Sequence, residues 1–372
     1  ITTSSQGSVG NITEQDLAGR DDTLVLYRMR AEVLLASSFL WSQHIPHKIR
    51  MSGTAVRLKP QLAAILGQYT GDIISRADFL EKAAEVMTAD AGGEEQLWEL
   101  LYRLAGTSRN RLKLNLLRDQ TGREKPPIEL LQDESELAGP VIGTIHASKG
   151  RESSRVHLMV PEEGFISYIG EKSGESRDYA LLEEERVLFV GATRARDALF
   201  SGTGYQSYAS RLSSGRVIRK SGRDKSAAQI EVGIAGDIDE VSLADSTLDA
   251  DPQELQQWLF AHASTKVDCL IELDFDSNRR ILRERSSGRA IAAMSSQFDR
   301  DLWLLADKLD LNRKSVTPQV KIPNVHMLGA TTTVVPASDR DALLPPWRHS
   351  AFLLVPVVSG FQKIKFYKRR QG

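Results

Sequence analysis

The chain has 372 residues, with 48 lysines and arginines against 49 aspartates and glutamates, which gives a formal net charge of −1. This balance excludes a uniformly basic or acidic protein, so any surface for a polyanion has to be a local patch. The single cysteine, Cys269, excludes an internal disulfide framework and a cysteine-rich zinc site. Because it lies in the apolar run VDCLIEL, we expect Cys269 to be a buried structural thiol.

The length suits one large core or, more commonly, two or three smaller ones. No apolar run approaches the roughly 20 residues that a membrane span needs, and no signal peptide is present. We therefore expect a cytoplasmic protein without membrane contact. The chain begins with Ile1, which favours a processed or truncated piece of a longer protein.

The first 19 residues are rich in Ser, Thr, Gly and Asn and lack an apolar period, which predicts a linker. From residue 20 to 51 the pattern changes. Residues 24–27 are a short apolar run typical of a buried parallel strand, and residues 31–43 have helical spacing. Pro46 ends that helix, and residues 45–49 return as a strand.

Residues 52–138 are predicted to be mainly helical, because apolar residues recur at helical spacing in LAAILGQY, FLEKAAEVM and LWELLYRLAG. The string DAGG at 90–93 separates two of these helices, and residues 111–118 predict a further one.

Residues 139–205 alternate between strands and helices. Strands are predicted at 141–146 and 155–160, a helix at 179–193 and a last short strand at 198–201. This alternation, with apolar strands, indicates a mostly parallel α/β sheet.

After residue 205 the composition shifts. Residues 206–250 hold a basic stretch, RLSSGRVIRKSGRDKS, and an acidic one, GDIDEVSLADSTLDADP, which predict a polar and partly mobile linker. Residues 251–372 contain several strand-like runs and two helices, at 252–261 and 296–310, and predict a smaller β-rich, barrel-like domain. Ser295 or Ser296 is expected to cap the second helix.

The last predicted strand mixes basic and aromatic residues, which leaves two interpretations open. One is a single-strand nucleic-acid contact with bases stacked on the aromatics, and the other is an amphipathic edge strand whose lysines discourage edge pairing. The residues are Phe361, Lys363, Lys365, Phe366, Tyr367, Lys368, Arg369 and Arg370.

Two strings in the 139–205 segment carry the most specific signal. GTIHASKGRE follows a predicted strand, and EEERVLFVGATRARDALF ends a predicted helix in an arginine-rich corner. They resemble the fifth and sixth motifs of the UvrD/Rep/PcrA-like superfamily 1 DNA helicases, T-x-H-x-x-K-G-x-E and E-E-R-x-L-x-Y-V-x-x-T-R-A. The matching residues are Thr144, His146, Lys149, Gly150 and Glu152, then Glu184, Glu185, Arg186, Leu188, Val190, Thr193, Arg194 and Ala195.

The resemblance covers roughly residues 20–205 and implies the RecA-like second motor lobe of such a helicase. The unit at 20–51 is similar to the family's "LYR" strand, helix and "GIPY" return. The helical block at 52–138 sits where the family inserts a subdomain, here in reduced form, and residues 139–205 complete the lobe.

The resemblance also implies catalytic and nucleotide-binding residues. A helicase motor hydrolyses ATP between two lobes, and an arginine of the second lobe stabilises the charge that develops on the transferred phosphoryl group. Here that arginine is Arg194, whereas Arg196 is expected to be a surface residue. Glu152 and Gly150 are expected at the nucleotide. The alternative for Arg194 is a surface arginine that closes its helix, a position that the helix dipole favours. The alternative for Glu152 is a solvated acidic residue in a loop.

Thr144, His146 and Lys149 are expected to contact the backbone of single-stranded nucleic acid. A hydroxyl, a neutral imidazole and free backbone N–H groups make uncharged phosphate contacts, and a lysine adds a charged one. The alternative for His146 is a satisfied core histidine.

Three family features are missing from this sequence. It has no G-x-x-x-x-G-K-[ST] phosphate loop, no apolar strand ending in Asp-Glu and no "NYRS" arginine motif. In addition, Arg151 and Ser153 flank Glu152, where the family has an apolar and an aromatic residue. ATP and Mg²⁺ are therefore expected as cofactors whose metal ligands lie on a first lobe outside this chain.

Two interpretations of function remain. The chain is either the C-terminal half of an ATP-dependent helicase or translocase, or a catalytically inactive nucleic-acid-binding or regulatory module derived from such a lobe. The expected partners are single-stranded or duplex DNA and a phosphate-loop lobe from the same gene or another chain. The presence of both Arg194 and Glu152 favours the first interpretation.

Overall fold

A computed structural model describes residues 17, 20–54, 56–87, 93–107, 109–133, 138–161, 177–204 and 209–369. The predicted linker at 1–19 lies outside these residues except for Leu17. The strands are β1 (Thr23–Tyr27), β2 (Lys48–Arg50), β3 (Ile73–Ser75), β4 (Gly106–Thr107), β5 (Arg111–Lys113), β6 (Val141–Thr144), β7 (Ser153–Val160), β8 (Ala195–Thr203), β9 (Ser210–Arg211), β10 (Val217–Lys220), β11 (Ala227–Val232), β12 (Val267–Asp274), β13 (Arg279–Glu284), β14 (Ala290–Ala293), β15 (Val316–Pro318), β16 (Lys321–Val334) and β17 (Phe352–Lys368). The α-helices are α1 (Arg30–Ser42), α2 (Pro60–Leu66), α3 (Arg76–Val86), α4 (Gly93–Ala105), α5 (Leu114–Thr121), α6 (Arg177–Ala192), α7 (Pro252–Ala261), α8 (Ser296–Lys308) and α9 (Trp347–Ser350).

Five short strands form a parallel sheet in the order β2–β6–β1–β7–β8. All four neighbouring pairs run parallel. Every residue of the central strand β1 is buried, which is typical of a strand covered on both faces. The predicted α/β architecture with a parallel sheet is therefore confirmed.

The alternation of side chains along β1 divides its contacts between two helices. Val25 and Tyr27 share a core with α1, whereas Leu24 and Leu26 share a core with Val187 of α6. The parallel sheet thus has one helix on each face, and α6 leads to the edge where β7 and β8 begin.

The segment between β2 and β6 leaves the parallel sheet. It forms helices α2 to α5 and a small antiparallel sheet in the order β3–β5–β4. The helix predicted at 111–118 begins only at Leu114, because Leu112 lies in β5, opposite Ile74 of β3. Both side chains are fully buried, so tertiary packing overrides the helical spacing at this point.

The largest sheet is antiparallel and has nine strands. Eight follow the order β14–β13–β12–β16–β17–β11–β10–β9, and β15 pairs with the end of β17. The predicted barrel form stays a prediction, because no pair joins β14 to β9 among the described strands. The second predicted helix is α8, and Ser295 caps it by accepting a hydrogen bond from the Phe298 N–H.

Residues 206–250 differ most from expectation. Instead of a linker, this segment supplies β9, β10 and β11, and β11 pairs with β17 over six residues. The strands are short and lie between charged turns. Each contributes only a few buried apolar residues, such as Ile218 and Ile230, and the segment as a whole is polar in composition.

Strand β17 lies inside the large sheet, with β11 on one side and β16, prolonged by β15, on the other. The edge-strand interpretation is therefore wrong. Phe361 and Phe366 are buried, so they cannot stack nucleic-acid bases in this fold, whereas Tyr367 is half exposed. Lys365 is paired with Asp224. Arg370 lies outside the described residues.

The helical insertion and the large sheet share one continuous core. Two threonines of β16 fasten the start of α2, because the Leu58 N–H donates to Thr331 Oγ1 at 2.7 Å and the Ala63 N–H donates to Thr332 Oγ1 at 3.0 Å. The region predicted as a smaller β-rich domain is thus packed against the insertion.

A buried ion network stabilises the large sheet. Arg216 is fully buried and donates to Asp301 at 2.7 Å and to Asp237 at 2.9 Å. Burial alone would lower the pKa of Arg216, but the hydrogen bonds and charges of the two aspartates outweigh it and raise the pKa. The buried guanidinium therefore has two carboxylate partners inside the core.

Two predictions from composition concern single features. Cys269 is fully buried, as predicted, and burial raises the pKa of its thiol to about 12. Among the helices within the described ranges, none is both long and apolar enough to cross a membrane.

Candidate nucleotide and nucleic-acid interface

Of the predicted site residues, Glu152 and Arg194 directly precede the first residues of β7 and β8, whereas Thr144 and His146 lie at the opposite, carboxyl end of the parallel sheet. Thr144, the last residue of β6, lies beside Tyr27, the last residue of β1, and the Ile145 N–H donates to the Tyr27 carbonyl at 2.9 Å. In parallel α/β sheets this edge is where ligands bind, because the loops that follow the strands converge there.

Strand β6 stops at Thr144, so the prediction of a strand through His146 is wrong. Ile145 has helical backbone angles, and His146–Ser148 form a single 3-10 turn. The turn is held by Thr144 Oγ1, which accepts from the Ala147 N–H at 3.3 Å, and by Ser148 Oγ, which donates to the Ile145 carbonyl at 2.7 Å. Thr144 is buried, whereas His146 is exposed and is not a core histidine.

Thr144 and His146 line one cavity of about 280 Å³. Its other walls bring together parts of the chain that lie far apart in sequence. They are residues 28–31 after β1, Ser52, and strand β9 of the large sheet. Three arginines line it, Arg28, Arg30 and Arg211. Sequence reasoning did not single out any of them, because the cavity exists only after β9 has packed against the lobe.

Two of these arginines have carboxylate partners. Arg28 donates to Glu184 of α6 at 2.7 Å, and this pair ties the end of β1 to the helix of the sixth motif. Arg30, at the start of α1, is buried and paired with Glu231 of β11. The pairing of Glu184 gives a structural reason for the first glutamate of the E-E-R string.

Lys149, Gly150 and Glu152 lie in the loop between the 3-10 turn and β7, and all three are exposed. Gly150 has a φ of 80°, a backbone conformation that residues other than glycine rarely adopt. A Cβ at Gly150 would meet no atom within 4 Å, so the glycine is needed for the turn and not for space.

One backbone hydrogen bond joins the two motifs. The Ser153 N–H, directly after Glu152, donates to the Arg194 carbonyl at 3.0 Å. Ser153 is itself buried, and its hydroxyl donates to the Asp22 carbonyl, which explains why this position accepts a small polar residue instead of an aromatic one. Glu152 and Arg194 therefore directly precede two paired residues, Ser153 and Ala195, at the edge where β7 and β8 begin.

The arginine-rich corner follows the last turn of α6. The Arg194 guanidinium donates to the Val190 carbonyl at 3.0 Å and to Thr193 Oγ1 at 3.1 Å, and the side chain is only partly exposed. Arg194 thus closes its own helix in this structure, a position that the helix dipole favours. Arg196 is exposed and reaches Ser154 Oγ at 3.3 Å, as expected of a surface residue.

Helix α6 approaches the sheet closely because of Gly191. A Cβ at this position would lie 2.7 Å from Leu158 Cδ1 and 3.4 Å from Ile145 Cγ2. This close contact fixes the helix end, and with it Arg194, relative to the loop of the fifth motif.

No group of three or more His, Cys, Asp or Glu residues that could hold a metal occurs within the described ranges. The three arginines that line the cavity, with the hydroxyl of Thr144 and the imidazole of His146, suit an anionic ligand.

The fold is a parallel α/β lobe, and at the carboxyl end of its strands a cavity is lined by three arginines, Thr144 and His146. Residues 129–203 match the family model of the UvrD-like helicase C-terminal domain. This stretch contains both motifs and is similar to the C-terminal motor lobe of UvrD-like helicases. No curated protein matches the chain.

Proposed function

We propose that this chain supplies the second motor lobe of an ATP-dependent DNA helicase or translocase. The first lobe, with the phosphate loop and the magnesium ligands, comes from a preceding segment or another chain. The observation that carries the proposal is the hydrogen bond between Ser153 and Arg194, which brings the ends of the fifth and sixth motifs to one point.

In this proposal Arg194 leaves its helix-closing position and points to the phosphates of ATP when the first lobe closes. Arginine suits this role because its guanidinium stays charged and offers a planar fork of donors. ATP would supply the phosphoryl group, and residues of the first lobe would hold the Mg²⁺ that offsets its charge. Glu152 and Gly150 of the adjoining loop would border the nucleotide.

An exposed apolar face of α6 supports the proposal that a first lobe packs against this one. Leu182 and Phe189 are seven residues apart and so lie on one face of the helix, and they are 52% and 69% exposed. Exposed apolar side chains of this size mark contact surfaces. The helix leads directly to Arg194, so a lobe packed on this face would lie beside the arginine.

Thr144 and His146 would hold the backbone of a single DNA strand, with Lys149 as a charged contact nearby. The cavity that Thr144 and His146 share with three arginines supports this role, because its groups offer donors to phosphate oxygens without reading base identity.

One observation favours a second candidate, a nucleic-acid-binding or regulatory module without catalysis. The hydrogen bonds of Arg194 to Val190 and Thr193 satisfy its guanidinium without any nucleotide. In that case the arginine would only stabilise the end of α6.

ATP turnover in the complete two-lobe motor distinguishes the two candidates. Arg194→Ala should reduce turnover by about 10³–10⁵-fold, since such arginines act on the transition state, and should change nucleotide affinity much less. Arg196→Ala is the matched control, two residues away and exposed, and should leave turnover near normal. Equal turnover in both variants would favour the module without catalysis. This chain alone should not hydrolyse ATP, and substantial activity of the isolated chain would contradict the proposal.

A further inference from the structure

The β-rich region reaches the cavity beside Thr144 through strand β9. Ser210 and Arg211 form β9, and both line the cavity opposite the residues that follow β1 and β6. Arg211 is exposed, and within the described ranges it has no carboxylate or hydrogen-bond partner for its side chain, unlike Arg28 and Arg30. Of the three arginines that line the cavity, Arg211 is therefore the one whose charge is available to a ligand.

The position of β9 is fixed by the strand next to it. Arg211 pairs with Val217 and Ser210 pairs with Ile218 of β10. Val217 is buried in the same core as Val25 and Tyr27 of β1, so β10 is packed directly against the parallel lobe.

A buried ion pair holds the same junction. Arg30 at the start of α1 pairs with Glu231 of β11, and the other carboxylate oxygen of Glu231 accepts from the Val217 N–H at 2.9 Å. Breaking such a pair is costly, because one charge would be left buried without a partner. The cavity wall formed by β9 is thus a strand paired with β10, which is itself packed against the lobe.

We propose that Arg211, assisted by the Ser210 hydroxyl, is a backbone contact for the nucleic-acid strand, supplied by the β-rich region across from Thr144 and His146. The inference rests on the proposed strand-binding role of those two residues. An arginine fork and a hydroxyl suit the non-bridging oxygens of one phosphate, and neither selects a base. The β-rich region then completes the strand site of the motor lobe.

The test is the salt dependence of strand binding by the complete motor, measured by fluorescence anisotropy with a labelled single-stranded oligonucleotide. Arg211→Ala should weaken binding about 5–10-fold and reduce the slope of log K against log salt by about 0.7, the value for one single-strand phosphate contact. Arg211→Lys should retain most of the slope, because it keeps the charge.

Arg223→Ala is the matched control. Arg223 is exposed, has no side-chain partner within the described ranges and lies in the β10–β11 turn of the same sheet, outside the cavity. If Arg211→Ala and Arg223→Ala give the same affinity and slope while Thr144→Ala with His146→Ala still weakens binding, the role of Arg211 is refuted and the proposed function stands.

Two other outcomes are also decisive. If the unaltered motor does not bind the strand, the proposed function and this inference fail together. If Arg211→Ala weakens the affinity for ATP and leaves strand affinity unchanged, the phosphate at Arg211 belongs to the nucleotide, and the strand assignment is overturned. Thermal unfolding of each variant confirms that it is folded, which is expected because Arg211 is exposed.

Discussion

The parallel lobe and the large antiparallel sheet differ in which charged and apolar side chains they bury. In the large sheet, Arg216 is fully buried between Asp237 and Asp301 and the charges satisfy one another. In the lobe, charged residues of the motif loop are exposed, and α6 leaves Phe189 largely exposed to solvent. Arg216 is thus satisfied within the large sheet, whereas the lobe has a surface suited to partners.

This difference separates charged residues that stabilise the fold from charged residues that are available to a ligand. Both regions contain arginines near carboxylates, and the sequence strings around them are similarly polar. What distinguishes them is whether the structure provides a partner for the charge, and the expected effects of substitutions follow from that.

The largest expected effect on stability comes from Arg216. Replacing it as Arg216→Met leaves two buried aspartates without a counter-charge and should lower the free energy of unfolding by about 3–5 kcal/mol. Chemical denaturation measures this loss. Arg313→Met removes the arginine of an exposed pair with Asp307 and should change stability little. Equal losses in the two variants would remove the contrast between buried and exposed charge.

A smaller effect is expected at His47, near the junction of the two regions. His47 is buried, with Nδ1 2.9 Å from the Ile45 carbonyl and Nε2 2.8 Å from Ser37 Oγ. Burial lowers its pKa from 6.5 to about 4, and the nearby His326 and Lys266 add to the effect.

The unfolded chain therefore takes up a proton at His47 below pH 6.5, whereas the folded chain does so only near pH 4. The contribution of His47 to stability is full above pH 6.5 and is lost as the pH falls towards 4. Between pH 7 and pH 5 the loss should be about 2 kcal/mol. Denaturation of His47→Gln at both pH values should show a smaller difference than the unaltered chain, whereas the exposed His146→Gln should keep it. An undiminished difference in His47→Gln would show that other groups cause it.

The smallest effect concerns the strand contacts of the lobe. Thr144→Ala with His146→Ala removes two uncharged donors and should weaken strand binding by roughly 10-fold, since each hydrogen bond contributes about 0.5–1.5 kcal/mol. Titration of the complete motor with a single-stranded oligonucleotide measures this. Turnover without nucleic acid should stay near normal. A collapse of that basal rate with unchanged strand affinity would place both residues at the nucleotide or in the fold.

The lobe could be predicted from sequence because its signals are local. Strand β1 is a continuous apolar run, Pro46 marks the helix end, and Thr144 to Glu152 form one string with fixed spacing. The turn at His146 was missed, because nothing in the string shows that the backbone leaves the strand at Ile145.

The large sheet could not be predicted to the same degree because its determinants are distant in sequence. Arg216 and Asp301 are 85 residues apart, and each looks like a surface charge in its own string. Strand β9 has two residues, too few for any periodicity, yet it brings Arg211 to the cavity. Such contacts appear only once β17 has joined β11 to β16.

The central claim is that Arg194 stabilises the charge of phosphoryl transfer, and the affinity of the complete motor for ADP with aluminium fluoride tests it most directly. This complex mimics the transition state, whereas ADP alone does not. The account predicts that Arg194→Ala loses about 10²-fold or more in affinity for the mimic and little for ADP, while Arg196→Ala changes neither. If Arg194→Ala binds the mimic as tightly as Arg196→Ala does, Arg194 only closes its helix and the assignment is wrong.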